Sequence, residues 1–175
     1  MKQLTRLLAL SIMMFAFTAA TFAQVSATAS AAATIVAPIA ILKVTDMNFG
    51  NIAAGAIAGS VVLSPAGART PTNVTLPATT GTVTAASFTV SGTANFTYSI
   101  TLPAGATTIS NGVGQTMTVN TWTSNPTPTG TLSGVGSETL TVGATLTVGA
   151  SQTPGAYSSS SAGGSGDFTV TVNYN

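Results

Sequence analysis

The side chains that carry most enzyme chemistry are scarce in this chain. Its 175 residues include no His and no Cys. That removes the commonest general base, the commonest metal ligand and the thiolate nucleophile. Beyond residue 23 the carboxylates are Asp46, Glu138 and Asp167. A paired-carboxylate site needs two acids within several ångströms of each other, and these three are far apart in sequence. Serines abound, but a serine nucleophile needs an activating base. Lys43 is the one candidate, and an isolated lysine is ordinarily a solvated charge. The stretch "DMNFGN", Asp46 to Asn51, echoes a calcium loop but lacks the acidic residue that closes one. A turn in which Asp46 and Asn48 bond backbone groups is the simpler reading. Asn73-Val-Thr and Asn95-Phe-Thr match glycosylation acceptors, as Thr-rich strands do by chance. Trp122, Tyr98 and Tyr157 could stack on a sugar, although aromatics in such strands more often fill a core. The expectation is a non-enzymatic protein with no catalytic residue, no cofactor and no metal.

Composition points the same way. Residues 1–23 read as a secretory signal peptide: Lys2 and Arg6, an apolar run from Leu7 to Phe17, then small residues ending at Ala23. No later stretch approaches the about 20 apolar residues of a membrane-spanning helix. No Cys follows the run, which argues against a lipoprotein anchor. From Gln24 onward only Lys43, Arg69, Asp46, Glu138 and Asp167 are charged, a net charge of −1, whereas the whole chain carries +1. Such a surface offers no footprint for nucleic acid or anionic lipid. It also lacks the charge repulsion that keeps copies apart. Without cysteines, the fold must be held by its core and its strand pairing.

The elements are strands. Thr, Val, Ala, Ser and Gly dominate, and no window beyond residue 23 has helical periodicity. Val25, Ala27, Ala29, Ala31, Ala33 and Ile35 alternate with small polar or Ala positions, so residues 24–36 form an extended N-terminal segment of unusually small side chains. "IVAPIAILKV" follows, with Pro38 marking an edge, a bulge or a break. Strands are then readable in "SVVLS", "NVTLP", "ASFTVSG", "NFTYSITLP", "QTMTVNTWTS", "GTLSG", "ETLTVGATLTVGA" and "DFTVTVNYN", separated by Gly, Pro and Asn turns. Short strands at roughly 8–12-residue spacing imply a sandwich or barrel. Ser158 to Gly166 is low in complexity and reads as a mobile loop. In the last strand Phe168, Val170, Val172 and Tyr174 share one face.

The stretches "TIVAPIAILKVTDMNFGNI", "GTVTAASFTVSGTANFTYSITLP", "MTVNTW", "TLTVGATLTVGASQTPGAY" and "FTVTVNYN" resemble domain-of-unknown-function family 4402, exported bacterial β-sandwich proteins. The order of parts is also similar to spore-coat-protein-U-like subunits of archaic chaperone–usher pili. Those end in alternating apolar residues with a penultimate aromatic, which Phe168, Val170, Val172 and Tyr174 match. Two features depart from that pattern: Ala162 stands where many such subunits carry Gly, with Gly163 next to it, and there is no disulfide. The resemblance implies donor-strand complementation, in which an extended segment of one copy completes the sandwich of its neighbour. Val25, Ala27, Ala29, Ala31, Ala33 and Ile35 would be the donor face; the alternative is that this segment is an ordinary strand of one complete sandwich. The terminal strand would pair with a periplasmic chaperone or within the core.

The expected fold is all-β, a single Ig-like antiparallel sandwich over residues 37–175. The expected function is a secreted or surface-displayed structural subunit of a pilus-like fibre, exported through the periplasm of a Gram-negative bacterium. Its partners would be its own copies, a chaperone and an usher. The alternative is a monomeric glycan-binding module. The period-two reading predicts a β-dominated circular dichroism spectrum; helix above about a tenth of residues would contradict it.

Overall fold

In the computed structural model, which describes residues 24–175, there is no helix and every strand pair is antiparallel. The leader proposed for residues 1–23 lies outside the described residues. The strands in chain order are β1 (Ala40–Thr45), β2 (Asn48–Phe49), β3 (Ala53–Ala54), β4 (Gly59–Leu63), β5 (Arg69–Thr72), β6 (Val74–Thr75) and β7 (Val83–Thr84). They continue as β8 (Ala86–Ser91), β9 (Thr97–Thr101), β10 (Thr107–Ser110), β11 (Thr116–Asn125), β12 (Thr129–Thr131), β13 (Ser137–Val148) and β14 (Thr171–Tyr174). Ile35–Asn175 form one compact unit, an antiparallel β-sandwich.

The strand β13 organises the larger layer. Its alternation buries Leu140, Val142, Ala144, Leu146 and Val148 and turns the intervening residues, mostly threonines, outward. One edge pairs first with β8, over Ser137–Val142, and then with β4, over Ala144–Val148. Its other edge pairs with β11. Gly143 stands where β8 gives way to β4, and a side chain there would overlap the Leu63 carbonyl. Beyond these, β1 extends β8, β10 extends β11 and β5 extends β4, giving seven strands in one sheet. The facing sheet has three, in the order β12-β9-β14.

Two apolar clusters fill the interior. One joins the two sheets: Ala86, Val90, Leu140 and Val142 meet Tyr98, Leu132, Val170 and Val172. The other gathers Val61, Leu63, Val119, Ala144, Leu146 and Val148 under Phe49 and the half-buried Ile52, Ala54, Val74, Leu76 and Val83. The covering residues of this second cluster belong to the short ladders β2–β7 and β3–β6 and the chain around them. Tyr98 is fully buried. Burial, with the Glu138 carboxylate beside it, pushes its phenol pKa upward, although neither its hydroxyl nor Glu138 Oε2 has a hydrogen-bond partner.

Several local expectations need revision. Residues 24–39 form no strand, and Val25 and Ile35 are 93% and 97% exposed. Alternation alone makes no strand, because a ladder needs a partner edge. Pro38 marks the break, and β1 begins two residues later. The serine-rich stretch is not a loose loop. Ser158 and Ser110 exchange two backbone hydrogen bonds of 2.9 Å, and Ser165 N–H donates to the Thr108 carbonyl at 3.0 Å. Ser110 Oγ donates to the Ala162 carbonyl at 2.7 Å. The loop therefore occupies the outer edge of β10. Five strands are not legible in the sequence: the two-residue β2, β3 and β7, β10, which is short and polar, and β5, where Pro71 is tolerated because the strand pairs on one side only.

Two outcomes test this core. Leu140→Ala should cost about 3 kcal/mol in denaturant unfolding, within the range for buried leucines; a loss under about 1 kcal/mol would place Leu140 outside the core. Because the Tyr98 pKa is raised on folding, its contribution is complete below the unfolded tyrosine pKa of about 10 and is lost as pH rises above it. Tyr98→Phe should remove that part of the alkaline fall in melting temperature. Parallel curves for the variant and the wild type would refute the assignment.

Candidate functional site

The two clusters meet along a seam, and an open cleft follows it. Trp122 and Met47 pack against both clusters and line the cleft. Its volume is about 1340 Å³, above the roughly 300–1,000 Å³ of small-molecule pockets. Ala86, Phe88, Val119, Leu146 and Val148 contribute from the inner face of the large sheet, and Phe49 and Phe168 from its walls. The cleft exists because the seven-stranded sheet is covered by two separate patches, the three-stranded sheet and the short ladders.

Local chemistry fixes each wall. A bulge between Asn120 and Thr123, with Thr121 at φ 51°, shifts the alternation of β11 by one residue. Val119 and Trp122 therefore both face inward. The Trp122 ring lies 4.5 Å from that of Phe168 between centroids, and its indole N–H donates to the Gly105 carbonyl at 3.0 Å. On the other wall, Arg69 Nη1 donates to the carbonyls of Phe49 and Asn51, at 2.7 and 3.0 Å. Asn48 Oδ1 accepts from Gly50 N–H at 2.8 Å, the turn expected of this stretch. Asp46 instead binds Lys43 Nζ at 2.6 Å in an exposed ion pair, which raises the lysine pKa.

The carboxylates are less scattered in space than in sequence. Asp46 and Asp167 both border the cleft with Lys43, and Asp167 accepts from Ser159 Oγ at 2.9 Å. Glu138 lies away from them, beside Tyr98. Tyr157 borders the cleft too; its hydroxyl donates to the Thr153 carbonyl and accepts from Gln152 Nε2.

A second arrangement lies at the far end of β1 and β8. Thr93 Oγ1 accepts from Ala37 N–H at 2.9 Å. The Tyr174 hydroxyl donates to the Ala37 carbonyl at 2.9 Å and accepts from Thr93 N–H at 2.7 Å. Both backbone groups of Ala37 are thus held. A methyl at Gly92 would overlap the tyrosine hydroxyl, so bare backbone leaves room for it. Phe96 holds the Tyr174 ring edge-on at 5.7 Å. Of the terminal-strand residues singled out by sequence, Val170 and Val172 are buried in the first cluster, and Phe168 and Tyr174 pack against it. The strand β14 pairs with β9 alone. Of the N-terminal set, Val25, Ala27, Ala29, Ala31, Ala33 and Ile35 are all exposed. The knot on Ala37 was invisible in the sequence because it joins residues 56 and 137 positions apart.

No curated protein and no solved structure matches the chain. One family model does match, over residues 39–174, the whole sandwich from just before β1 to the end of β14. The chain belongs to the domain-of-unknown-function family DUF4402.

Proposed function

We propose that this protein is a secreted, non-enzymatic structural subunit of a surface fibre, exported through the periplasm. Residues 24–36 of one copy would complete the cleft of the next. The observation that carries this reading is the seam: an open cleft with an apolar floor, left by unequal sheets, in a chain whose N-terminal segment is exposed, extended in pattern and uncharged. An Ala-sided segment brings no bulky side chain to clash in a preformed cleft, and its backbone could pair with a free strand edge. The edge of β10 is occupied by the serine loop, and β5 carries Pro71. The free side of β14, by contrast, carries neither charge nor proline. A periplasmic chaperone would shield that region before assembly.

Glycan binding is the second reading, favoured by the aromatic Trp122 and Phe168 beside the polar Asn48, Asn51 and Gln152 at the cleft. The two rings pack against each other at an interplanar angle of 39°, which leaves less of the indole face for a sugar.

The test is Ala29→Asp with Ala31→Asp in the chain from Gln24. The wild type should form fibres with rising concentration, seen by electron microscopy and sedimentation. The double variant should remain monomeric, since a buried unpaired charge is costly. Its unfolding free energy should stay within about 0.5 kcal/mol of wild type, as for other exposed changes. Its cleft should bind a fluorescent peptide of residues 24–36. A wild type that stays monomeric at every concentration, or a variant that assembles normally, would sink the fibre reading.

A further inference from the structure

The hydrogen-bonded knot on Ala37 bears on a difficulty that any donor-segment protein faces. The segment is tethered to a molecule that carries the cleft it fits. A short flexible tether gives an effective concentration in the millimolar range. At micromolar protein, self-insertion would therefore outcompete insertion into a neighbour by about a thousandfold, unless geometry forbids it.

Length does not forbid it. The strand β1 runs from Ala40, opposite Ser91, to Thr45, opposite Ser87. The cleft borders Thr45, Ala86 and Phe88, at one end of these strands. Ala37 is held at the other end, by Thr93 and Tyr174. From Phe88 to Thr93 is five residues of chain, about 17 Å when extended. The 13 residues 24–36 can span about 43–47 Å. They could turn back and still place several residues in their own cleft.

Direction at the root opposes it. A reversal at the root needs Ala37 to lend its backbone groups to a turn. Pro38 biases the residue before it toward extended geometry and offers no N–H of its own. The Thr93 hydroxyl already takes the Ala37 N–H, and the Tyr174 hydroxyl already donates to its carbonyl. We propose that Tyr174 and Thr93 are positioning residues that fix the root of the donor segment, so that it enters a second copy of this chain and not its own cleft. The inference rests on the fibre reading above. It adds an element of polarity: root at one end, cleft at the other, a head-to-tail contact that propagates into a filament where its rotation does not close a ring.

The test uses Tyr174→Phe, which removes the hydroxyl and keeps the ring against Phe96, and Thr93→Val as an independent break in the same knot. Each is examined in the chain from Gln24, with the fluorescent peptide of residues 24–36 as probe. Both variants should lose fibres. Both should bind the peptide at least a hundredfold more weakly than the Ala29→Asp, Ala31→Asp protein, because their own segment occupies the cleft. Adding Ala29→Asp and Ala31→Asp to Tyr174→Phe should restore peptide affinity to within about threefold, which shows an intact cleft. Fibres formed normally by both variants would overturn the positioning role and leave the fibre reading standing. Failure of the added aspartates to restore binding would also overturn it, since the cleft and not the segment would then have changed. If the Ala29→Asp, Ala31→Asp protein itself does not bind the peptide, the fibre reading falls and the positioning role with it.

Discussion

Covering one face of a large sheet is the constraint on which the rest of this molecule depends. Seven strands present an apolar inner face, and three strands oppose it. The remainder is roofed by two-residue ladders and the chain between them, centred on Phe49. Two roofs leave a seam. Residues that pack on both sides of it, Trp122 and Met47, show where the interior is continuous and where it opens. Filling the seam with a further strand of this chain would close the sandwich. Leaving it open stores apolar contact for something else, at the cost of the stability that burial would have added.

Edges pose the complementary problem. A sheet protein with five charges beyond residue 23 has few lysines and glutamates with which to blunt its edges. It uses other means. Backbone and hydroxyl groups of the serine-rich stretch satisfy the outer edge of β10, a covering that needs no hydrophobic side chain. Proline interrupts β5, and Lys43 stands on β1. The edge of β14 receives none of these treatments.

Much of the fold was legible in the sequence because burial and alternation report the same thing. "ETLTVGATLTV" reads as a half-buried strand and is one, since β13 is flanked by partners along its length. The position of Pro38 marks the start of β1 for a reason local to proline. What was not legible depends on distant partners. Trp122 lies on the outward parity of β11 until the bulge at Thr121 turns it inward. The N-terminal alternation is indistinguishable from a strand until a partner is found or not. Ser158–Gly166 has the composition of a flexible linker, yet its hydroxyls and amides meet those of a strand edge that sequence had not revealed. The cleft was beyond reach for the same reason: it is a property of what fails to cover the sheet.

The wall of the cleft at Phe49 is held in an unusual currency for an exposed region. One guanidinium nitrogen bridges two main-chain oxygens, those of Phe49 and Asn51. Its partners are carbonyl dipoles of the backbone itself, with no counter-charge that mobile ions could replace. Dissolved salt weakens the attraction between opposite charges over a Debye length of about 8 Å, but a contact hydrogen bond to a carbonyl is shorter than that range. The wall should therefore keep its shape from dilute buffer to physiological ionic strength, and so should the aromatic surface it presents. This wall of the cleft is tied to the covalent chain, unlike the exposed Lys43–Asp46 ion pair on the same rim.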